Sequence, residues 1–430
     1  MNKVIIKMNK VTFLSIICLF LINNVFSITL EEAIKRGLEV SYPLKQQKEI
    51  IKSFEYQYTS SIDPYLPKAN MEGGYIRYLY GSPSQTRTSG IDSIGNDVYS
   101  ATGTLSLRIF DGGLRSAKRK GAESSLEREK EKIESVKTDV IYNIKTAFFT
   151  ALGKKIIVEK KKEAYEITKK IVDLTKAKYD LGVAKKSDVL QAEVRLTSAR
   201  IELFESEKEF EKALEDLNSL LLFKGDENLT IEGDLSIPVQ KESIDSLTER
   251  ALKTRPDVNY QLKEIERLNM VYNEKKSEWY PKIDVELQQS RVDKSFAPKN
   301  RQDIFGLTLT YPIFDGVGRY YNLKASASEL SAAKFRLEEI KRTVKLEITK
   351  AYKDFEKSFE NTRLYKELLK EAEVNFEQAY GEYKVGKGDI LSLLQSEKDL
   401  SKAKENLVTS LYQLNNAMAY LEKVAYITGY

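Results

Sequence analysis

The sequence contains no histidine and only one cysteine, Cys18, among its 430 residues. Histidine is the commonest general base and the commonest metal ligand, so its absence weakens the case for most hydrolases and metalloenzymes. Glycine and proline are scarce as well, with 21 and 9 residues, while charged residues make up 31% of the chain. Long, charge-rich intervals between helix-breaking residues favour extended helices over compact α/β domains.

The first 27 residues have the pattern of a secretory signal. Three lysines precede an apolar stretch over residues 11–22, which is shorter than the roughly 20 residues that a transmembrane helix needs. We expect cleavage after Ser27, with a retained anchor as the alternative. Cys18 leaves with the signal, so the exported chain has no thiol for a disulfide, a nucleophile or a metal site. Subtracting the three lysines from the net charge of +5 leaves about +2, which gives no reason to expect nucleic-acid binding.

Two motifs occur twice at the same spacing. The sequence Ile-Phe-Asp-Gly at residues 109–112 recurs at 313–316, and a Tyr-x-x-Gly motif at 179–182 recurs at 383–386, so both are displaced by 204 positions (315 − 111 and 383 − 179). A solenoid unit spans only about 20 to 50 residues, so this displacement indicates a duplicated, domain-sized module. We therefore divide the exported chain into a first repeat over residues 28–243 and a second over residues 244–430.

Each repeat is predicted to contain one β-hairpin, at residues 66–110 and 281–314. In the second hairpin Phe305, Leu307 and Leu309 alternate with small or polar residues, which gives the strand one apolar and one polar face. The strands are about 11 to 13 residues long, close to the nine to eleven that a tilted membrane-crossing strand needs. Tyrosines lie near their ends, as in an interfacial girdle. A surface sheet packed on a soluble core is the alternative.

Long helices follow the two hairpins. Apolar residues recur there at three- and four-residue steps, which predicts helices over residues 113–178 and 317–382. About 65 residues at 1.5 Å per residue give about 100 Å, and a helix of this length must pack along other helices as a coiled coil. The Tyr-x-x-Gly motifs predict turns, after which helices over residues 187–222 and 389–425 return antiparallel. Shorter helices are predicted before the hairpins, over residues 30–40, 44–60 and 244–253, with a fourth ending near residue 278.

In combination these features resemble the TolC-like outer-membrane efflux protein family over nearly all of the exported chain. The resemblance rests on two strand pairs that each close with Ile-Phe-Asp-Gly into a long helix, and on two turns followed by related segments at residues 188–193 and 393–397. It implies a mainly α-helical chain with a transmembrane β part. Three such chains would form one 12-stranded β-barrel, with four strands per protomer, continued by a periplasmic α-helical coiled-coil barrel. Four strands with one lipid-facing side cannot close a barrel alone, which independently requires neighbours.

The resemblance also gives roles to individual residues. The two turns would form the periplasmic tip, which in this family constricts and opens the tunnel and contacts an adaptor. The gate or tip candidates are Tyr179, Gly182, Asp188, Tyr383, Gly386 and Asp389. The pore-lining candidates beside them are Gln191, Ser392 and Gln395. The strand-to-helix turns are assigned to Asp111, Gly112, Asp315 and Gly316.

Some of these candidates also have local explanations. Gly182 and Gly386 are suited to helix C-caps in the left-handed region, which is compatible with a gate role. Asp188 is suited to the N-cap of the returning helix. As a gate residue, by contrast, Asp188 is expected to form a hydrogen bond with Tyr383.

The function that the resemblance implies is a passive outer-membrane exit duct of a tripartite efflux or type I secretion system, which exports small molecules or polypeptides. It implies no catalytic site, cofactor or metal. The implied partners are two further copies of the chain, outer-membrane lipid, a periplasmic adaptor (membrane fusion) protein and an inner-membrane pump or ABC transporter. One alternative is a structural or adhesive coiled-coil envelope protein, which has no need of four alternating strands. The other is an enzyme, for which only scattered Asp and Glu residues remain.

Overall fold

The computed structural model describes residues 26–77, 97–223, 229–238, 240 and 242–427. The predicted signal lies outside these residues except for its last two positions, Phe26 and Ser27, which belong to a short strand, β1 (Phe26–Ile28). Signal cleavage therefore stays a prediction. The middle of the first predicted hairpin, residues 78–96, also lies outside the described part of the chain.

The helices and strands follow one another in the predicted order. The first repeat forms α1 (Leu30–Val40), α2 (Tyr42–Ser60), β2 (Lys68–Arg77), β3 (Asp97–Phe110), α3 (Leu114–Asp180) and α4 (Lys186–Leu221). A short strand, β4 (Leu229–Ile231), then pairs in parallel with β1. The second repeat forms α5 (Ile244–Thr254), α6 (Pro256–Ser277), β5 (Lys282–Asp293), β6 (Asn300–Thr310), α7 (Gly318–Lys384) and α8 (Ile390–Val424).

Helices α3 and α7 correspond to each other at both ends. Each has 67 residues, or about 100 Å at 1.5 Å per residue. Their first and last residues differ by the same 204 positions that separate the motifs (318 − 114 and 384 − 180). The returning helices α4 and α8 also begin 204 positions apart (390 − 186). Among the described helices, none combines the length and the apolar character needed to cross a membrane.

The larger sheet is antiparallel, with the strand order β2-β3-β5-β6. Leu105, Leu287 and Phe305 lie side by side across β3, β5 and β6. Leu307 and Leu309 continue the same face along β6, as the period-two alternation predicts, and are 65% and 66% exposed. The sheet therefore presents a continuous apolar face that the other described residues leave uncovered.

The opposite face of the sheet is polar. Arg108 on β3 and Asp284 on β5 are cross-strand neighbours, with Nε and Oδ1 2.8 Å apart, and Thr308 on β6 lies on the other side of Asp284. The outer strands β2 and β6 each pair on one side only within the described part of the chain. The sheet thus has one apolar face, one polar face and two unpaired edges.

The chain folds as two compact units, and each unit takes segments from both repeats. The first comprises Met1–Lys45, Val136–Leu252 and Val344–Tyr430, and the second comprises Gln46–Ser135 and Lys253–Thr343. In the first unit a buried apolar core joins α1, α3, α4, β1 and β4 through side chains that include Ile28, Ile34, Ile144, Phe148, Leu217, Leu221 and Ile231. The second unit contains the four-stranded sheet. The compact units do not coincide with the two repeats, whose boundaries stay a prediction.

Candidate functional site

The first turn, residues 181–185 between α3 and α4, begins with a Schellman motif. Gly182 is left-handed with φ 74°, and its N–H donates to the carbonyl oxygen of Tyr179 at 2.8 Å. The N–H of Val183 donates to the carbonyl oxygen of Lys178, also at 2.8 Å. Glycine suits this position because no Cβ crowds the left-handed backbone. The interpretation of Gly182 as a helix C-cap is confirmed.

The second turn, residues 385–389 between α7 and α8, repeats this pattern bond for bond. Gly386 has φ 80°, and its N–H donates to the carbonyl oxygen of Tyr383 at 3.1 Å. The N–H of Lys387 donates to the carbonyl oxygen of Glu382 at 2.9 Å. Every donor and acceptor lies 204 positions after its counterpart in the first turn. The duplication therefore extends to individual backbone hydrogen bonds.

The returning helices begin differently after the two turns. Asp389 is the N-cap of α8, and its carboxylate accepts the N–H of Ser392 at 2.9 Å. The N-cap of α4 is Lys185, so the expectation of an N-cap at Asp188 is wrong. Asp188 lies three residues further on, and its carboxylate accepts the N–H of Lys185 at 3.0 Å. Both carboxylates thus stabilise a helix N-terminus, from different positions.

Tyr383 joins the ends of α7 and α3. Its side chain is buried, and its hydroxyl donates to Thr175 Oγ1 at 3.0 Å. The Lys178 ammonium group lies 4.5 Å from the centre of the Tyr383 ring and donates to the Tyr383 carbonyl oxygen. Tyr383 and Asp188, which were expected to form a hydrogen bond with each other, each have other partners within this chain.

Tyr179, the counterpart of Tyr383 in the first turn, has a different environment. It is 42% exposed, and its ring is 5.7 Å from the Lys186 ammonium group. The positions that correspond to Thr175 and Lys178 in the second repeat are Ala379 and Glu382 (175 + 204 and 178 + 204). These two residues offer neither a hydroxyl acceptor nor a cation for a tyrosine ring. The duplicated motif thus provides one buried and one exposed tyrosine.

The pore-lining candidates are exposed in the chain. Gln395 Nε2 donates to Asp399 Oδ1 at 2.9 Å, and Ser392 is the residue whose N–H Asp389 accepts. Gln191 is the counterpart of Gln395 and directly precedes the fully buried Ala192. Each of the three side chains therefore lies on the solvent side of its helix. A channel lining requires such exposure, and their role there stays a proposal.

A buried ion pair joins α4 and α8 next to the turns. Arg195 Nε lies 2.7 Å from Glu397 Oε2, and Arg195 Nη1 lies 2.9 Å from Glu202 Oε1. Lys161 on α3 extends the network, with its ammonium group 2.7 Å from Glu202 and 3.1 Å from Glu405. Burial opposes ionisation of Glu202, but Lys161 and Arg195 bring its pKa below the ordinary value.

Sequence reasoning missed this ion pair, although a local signal for it exists. Arg195 falls in the buried stripe that Val189, Ala192 and Ala199 form along α4. Glu397 falls in the corresponding stripe of α8, next to buried leucines. A charged residue in the apolar stripe of a helix needs a partner, because an unpaired charge is expensive to bury. The stripe predicts that each residue is paired but not with which partner.

The first corner, residues 111–113 between β3 and α3, is held by Arg115. The Arg115 guanidinium donates to Asp111 Oδ2 at 2.9 Å, to the Arg108 carbonyl oxygen at 2.6 Å and to the Pro64 carbonyl oxygen at 3.4 Å. It also lies 4.8 Å from the centre of the Tyr65 ring. One side chain thus ties the end of a strand to the start of a helix and to the segment before β2.

The second corner, residues 315–317 between β6 and α7, is held in the same way by Arg319. Its guanidinium donates to Asp315 Oδ1 at 2.7 Å, to the Pro312 carbonyl oxygen at 2.9 Å and to the Glu278 carbonyl oxygen at 3.1 Å. It lies 4.9 Å from the Trp279 ring. The four contacts named for Arg115 therefore recur at equivalent positions around Arg319.

Sequence reasoning missed both arginines, because they lie three residues beyond the four-residue Ile-Phe-Asp-Gly motif. The repeated motif extends to Ile-Phe-Asp-Gly-x-x-Arg, at residues 109–115 and 313–319. The corner candidates Asp111 and Asp315 are the carboxylate partners of these arginines. Gly112 and Gly316 follow them with φ of 66° and 89°, a conformation that favours glycine.

Known proteins are similar to this chain over most of its length. The family described as Outer membrane efflux protein matches residues 37–221 and 247–425, one stretch in each predicted repeat. Protein CyaE of Bordetella pertussis is 22% identical over 403 residues, which cover 92% of this chain and 83% of CyaE. The toluene efflux pump outer membrane protein TtgC of Pseudomonas putida is 22% identical over 396 residues, which cover 88% of this chain and 79% of TtgC.

The fold also matches a solved channel. The crystal structure of the Campylobacter jejuni CmeC outer membrane channel aligns with a TM-score of 0.78 at 18% identity, covering 92% of this chain and 85% of CmeC. The resemblance inferred from the sequence is confirmed, and so is the fold class at the level of a mainly helical chain with a small sheet.

Proposed function

Because the chain belongs to the outer membrane efflux protein family, whose members are outer-membrane channels that extend into the periplasm, we propose that it assembles as a homotrimeric, passive exit duct. Each protomer contributes four strands to a 12-stranded β-barrel in the outer membrane and its long helices to a periplasmic tunnel. The duct serves a tripartite efflux or type I secretion system that exports small molecules or polypeptides.

The observation that carries this proposal is the uncovered apolar face of the sheet. Leu287, Leu307 and Leu309 stand on this face and are exposed in the single chain. Lipid is the surrounding in which such a face is favourable. Lipid cannot satisfy the backbone N–H and C=O groups along the free edges of β2 and β6, so both edges need strands from neighbouring protomers.

The polar face of the same sheet suits the lumen of the barrel. The Arg108–Asp284 pair and the neighbouring Thr308 lie on this face, opposite the exposed leucines. Charged and hydroxyl side chains of this kind are stable against water and unstable against lipid. The alternation along each strand therefore assigns one face to lipid and one to the channel.

We place the gate at the two turns, with Tyr179, Gly182, Asp188, Tyr383, Gly386 and Asp389 in the tip and Gln191, Ser392 and Gln395 lining the tunnel beside it. Leu181, Val183, Val385 and Leu391 stand exposed at the turns. Such apolar side chains at the end of polar helices favour contact with another protein, which we take to be the periplasmic adaptor.

Energy for transport is assigned to the inner-membrane pump or ABC transporter that the adaptor contacts. The chain has no histidine, and its one cysteine lies in the predicted signal, so the side chains that most often carry catalysis are absent from the exported chain. Selection by the duct then depends on the width and polarity of its lining, and the chain itself is not an enzyme.

The proposal is tested with arginine on the two faces of β6. Leu307→Arg places a charge in lipid, which costs about 2 to 4 kcal/mol per site at mid-bilayer, so trimer yield in the outer-membrane fraction should fall strongly. Thr308→Arg, the matched control on the polar face, should assemble like wild type. Equal yields for both variants would show that the faces are assigned wrongly. A stable wild-type monomer with native circular dichroism in detergent would refute the shared barrel.

A further inference from the structure

The first corner is covered by a segment of the second repeat. Residues 277–280, which connect α6 to β5, lie against Gly112, where a Cβ atom would come within 2.5 Å of Tyr280 Cβ and 2.9 Å of the Ser277 carbonyl oxygen. Asp111 beside it is only 4% exposed. The backbone of the first corner thus packs directly on this connecting segment, and the glycine is required by the close approach.

At the second corner, Gly316 has no such cover within the described part of the chain. Around Gly316, apart from the glycine and its two chain neighbours, no atom of the described chain lies within 4 Å of the place that a Cβ would take. The apolar side chains on either side of it stand in solvent, with Ile313 88% exposed, Phe314 84% and Val317 66%. Three large apolar side chains grouped at one exposed bend mark a surface that is buried in the working assembly.

The first repeat contains a counterpart of the covering segment. Residues 63–66 connect α2 to β2 just before Pro67-Lys68, as residues 277–280 connect α6 to β5 before Pro281-Lys282 (281 − 67 = 214). The arginine contacts confirm the correspondence, because Arg115 reaches residues 64 and 65 as Arg319 reaches residues 278 and 279. On residues 63–66, the position equivalent to Tyr280 is Leu66, which is exposed.

The connecting segments and the corners therefore form a series of contacts that stops at the second corner. Residues 63–66 contact Arg115, which holds the first corner, and Gly112 of that corner lies against residues 277–280. Residues 277–280 in turn contact Arg319, which holds the second corner. The next element of the series is another copy of residues 63–66. Resting on the proposed trimer, we infer that residues 63–66 of a second copy of this chain cover Gly316, as residues 277–280 cover Gly112.

This docking fixes how β6 meets β2 of the second copy. Within the chain β3 pairs with β5, with Leu105 opposite Leu287 and Ser106 opposite Glu286. Adding 204 to the first partner and subtracting 214 from the second places Leu309 opposite Gly73 (105 + 204 and 287 − 214). The same arithmetic places Thr310 opposite Glu72 (106 + 204 and 286 − 214). The contact is head-to-tail, and such contacts close into a ring when the rotation between copies permits it.

Cysteine cross-linking between copies tests this register. In Leu309→Cys/Gly73→Cys and in Thr310→Cys/Glu72→Cys, oxidation in purified outer membranes should convert the monomer band into dimer and trimer bands that a reductant reverses. Consecutive residue pairs on antiparallel strands alternate between hydrogen-bonded and non-hydrogen-bonded pairs. One of the two cysteine pairs is therefore of the non-hydrogen-bonded kind and has the shorter Cα separation. The matched control, Leu309→Cys/Tyr75→Cys, shifts one partner by two residues along β2. Its Cα atoms would be about 8 Å apart, beyond the range that a disulfide spans.

The outcomes separate this inference from the proposed trimer. Cross-linking of both predicted pairs with little in the control supports the docking. A trimer that cross-links only in the shifted pair, or in none of the three, overturns the register while leaving the trimer intact. Wild-type protein that migrates as a monomer on a native gel, before any cysteine is introduced, refutes both proposals.

Discussion

The two turns share a backbone and differ in what surrounds their tyrosines. Tyr383 is 5% exposed and bonded to Thr175, whereas Tyr179 is 42% exposed. The backbone is the same because its cause is local: a left-handed glycine and two hydrogen bonds within six residues. The environment differs because it depends on a second helix, and that helix changed between the repeats, with Ala379 in place of Thr175. A duplicated motif thus predicts conformation better than contacts.

The glutamates that follow the turns show the same contrast. Glu397 and Glu193 are counterparts (397 − 193 = 204), yet the Glu397 side chain is 2% exposed and the Glu193 side chain 41%. Glu397 is paired with Arg195 inside the helix packing, and Glu193 with Lys176 at its surface. Equivalent positions therefore carry ion pairs of very different energetic weight.

The largest effect expected from this contrast concerns the two cations. Arg195→Ala leaves Glu397 without its partner in a buried position, which costs about 3 to 5 kcal/mol. The thermal unfolding midpoint of the detergent-solubilised protein, followed by circular dichroism, should fall by several degrees. Lys176→Ala, which removes the partner of Glu193, should change it little, because exposed ion pairs are screened by water. Similar shifts for the two variants would contradict the difference in burial.

The sequence predicts the helix bounds, which depend on neighbouring residues, but not the side-chain contacts between residues far apart in the chain. The bounds of α1 agree with the predicted residues 30–40, and those of α3 and α7 lie within two residues of the predicted ranges, because apolar periodicity and glycine act over a few residues. The N-cap of α4 was placed wrongly, since a suitable side chain at Asp188 does not fix where the helix begins. The pairing of Arg195 with Glu397, 202 positions apart, depends on how two helices pack, and the local pattern shows only that each residue needs a partner.

A smaller effect is expected at the tyrosines. Tyr383→Phe removes the hydrogen bond to Thr175, about 0.5 to 1.5 kcal/mol for each protomer, and loosens the contact between the ends of α7 and α3. If this contact holds the tip closed, single-channel conductance in planar bilayers should rise at unchanged trimer yield. Tyr179→Phe is the matched control and should conduct like wild type, because its hydroxyl lies at an exposed turn. If conductance rose only in Tyr179→Phe, the contact that closes the tip would lie at the first turn and not at Tyr383.

The smallest effect expected is a pH dependence of opposite sign at the two glutamates. Burial raises the pKa of Glu397 above its ordinary value of 4.5, against the effects of Arg195 and the Thr168 hydroxyl. A hydrogen bond from Lys176 lowers the pKa of Glu193. The stability contributed by a raised carboxyl pKa is present below pH 4.5 and is lost as pH rises through the folded value. The stability contributed by a lowered pKa is present above pH 4.5 and is lost as pH falls through the folded value.

Glutamine at each position removes the corresponding proton equilibrium and keeps the shape of the side chain. Unfolding midpoints are measured from about pH 3 to pH 8. The midpoint of wild type should fall relative to that of Glu397→Gln as pH rises above 4.5. The midpoint of wild type should rise relative to that of Glu193→Gln as pH rises toward 4.5, and the difference should then stay constant. A wild type that gains on both variants with rising pH would mean that Arg195 outweighs burial at Glu397. The two glutamates would then differ in exposure but not in the direction of their pKa, because attraction by the paired cation would set the sign at both positions.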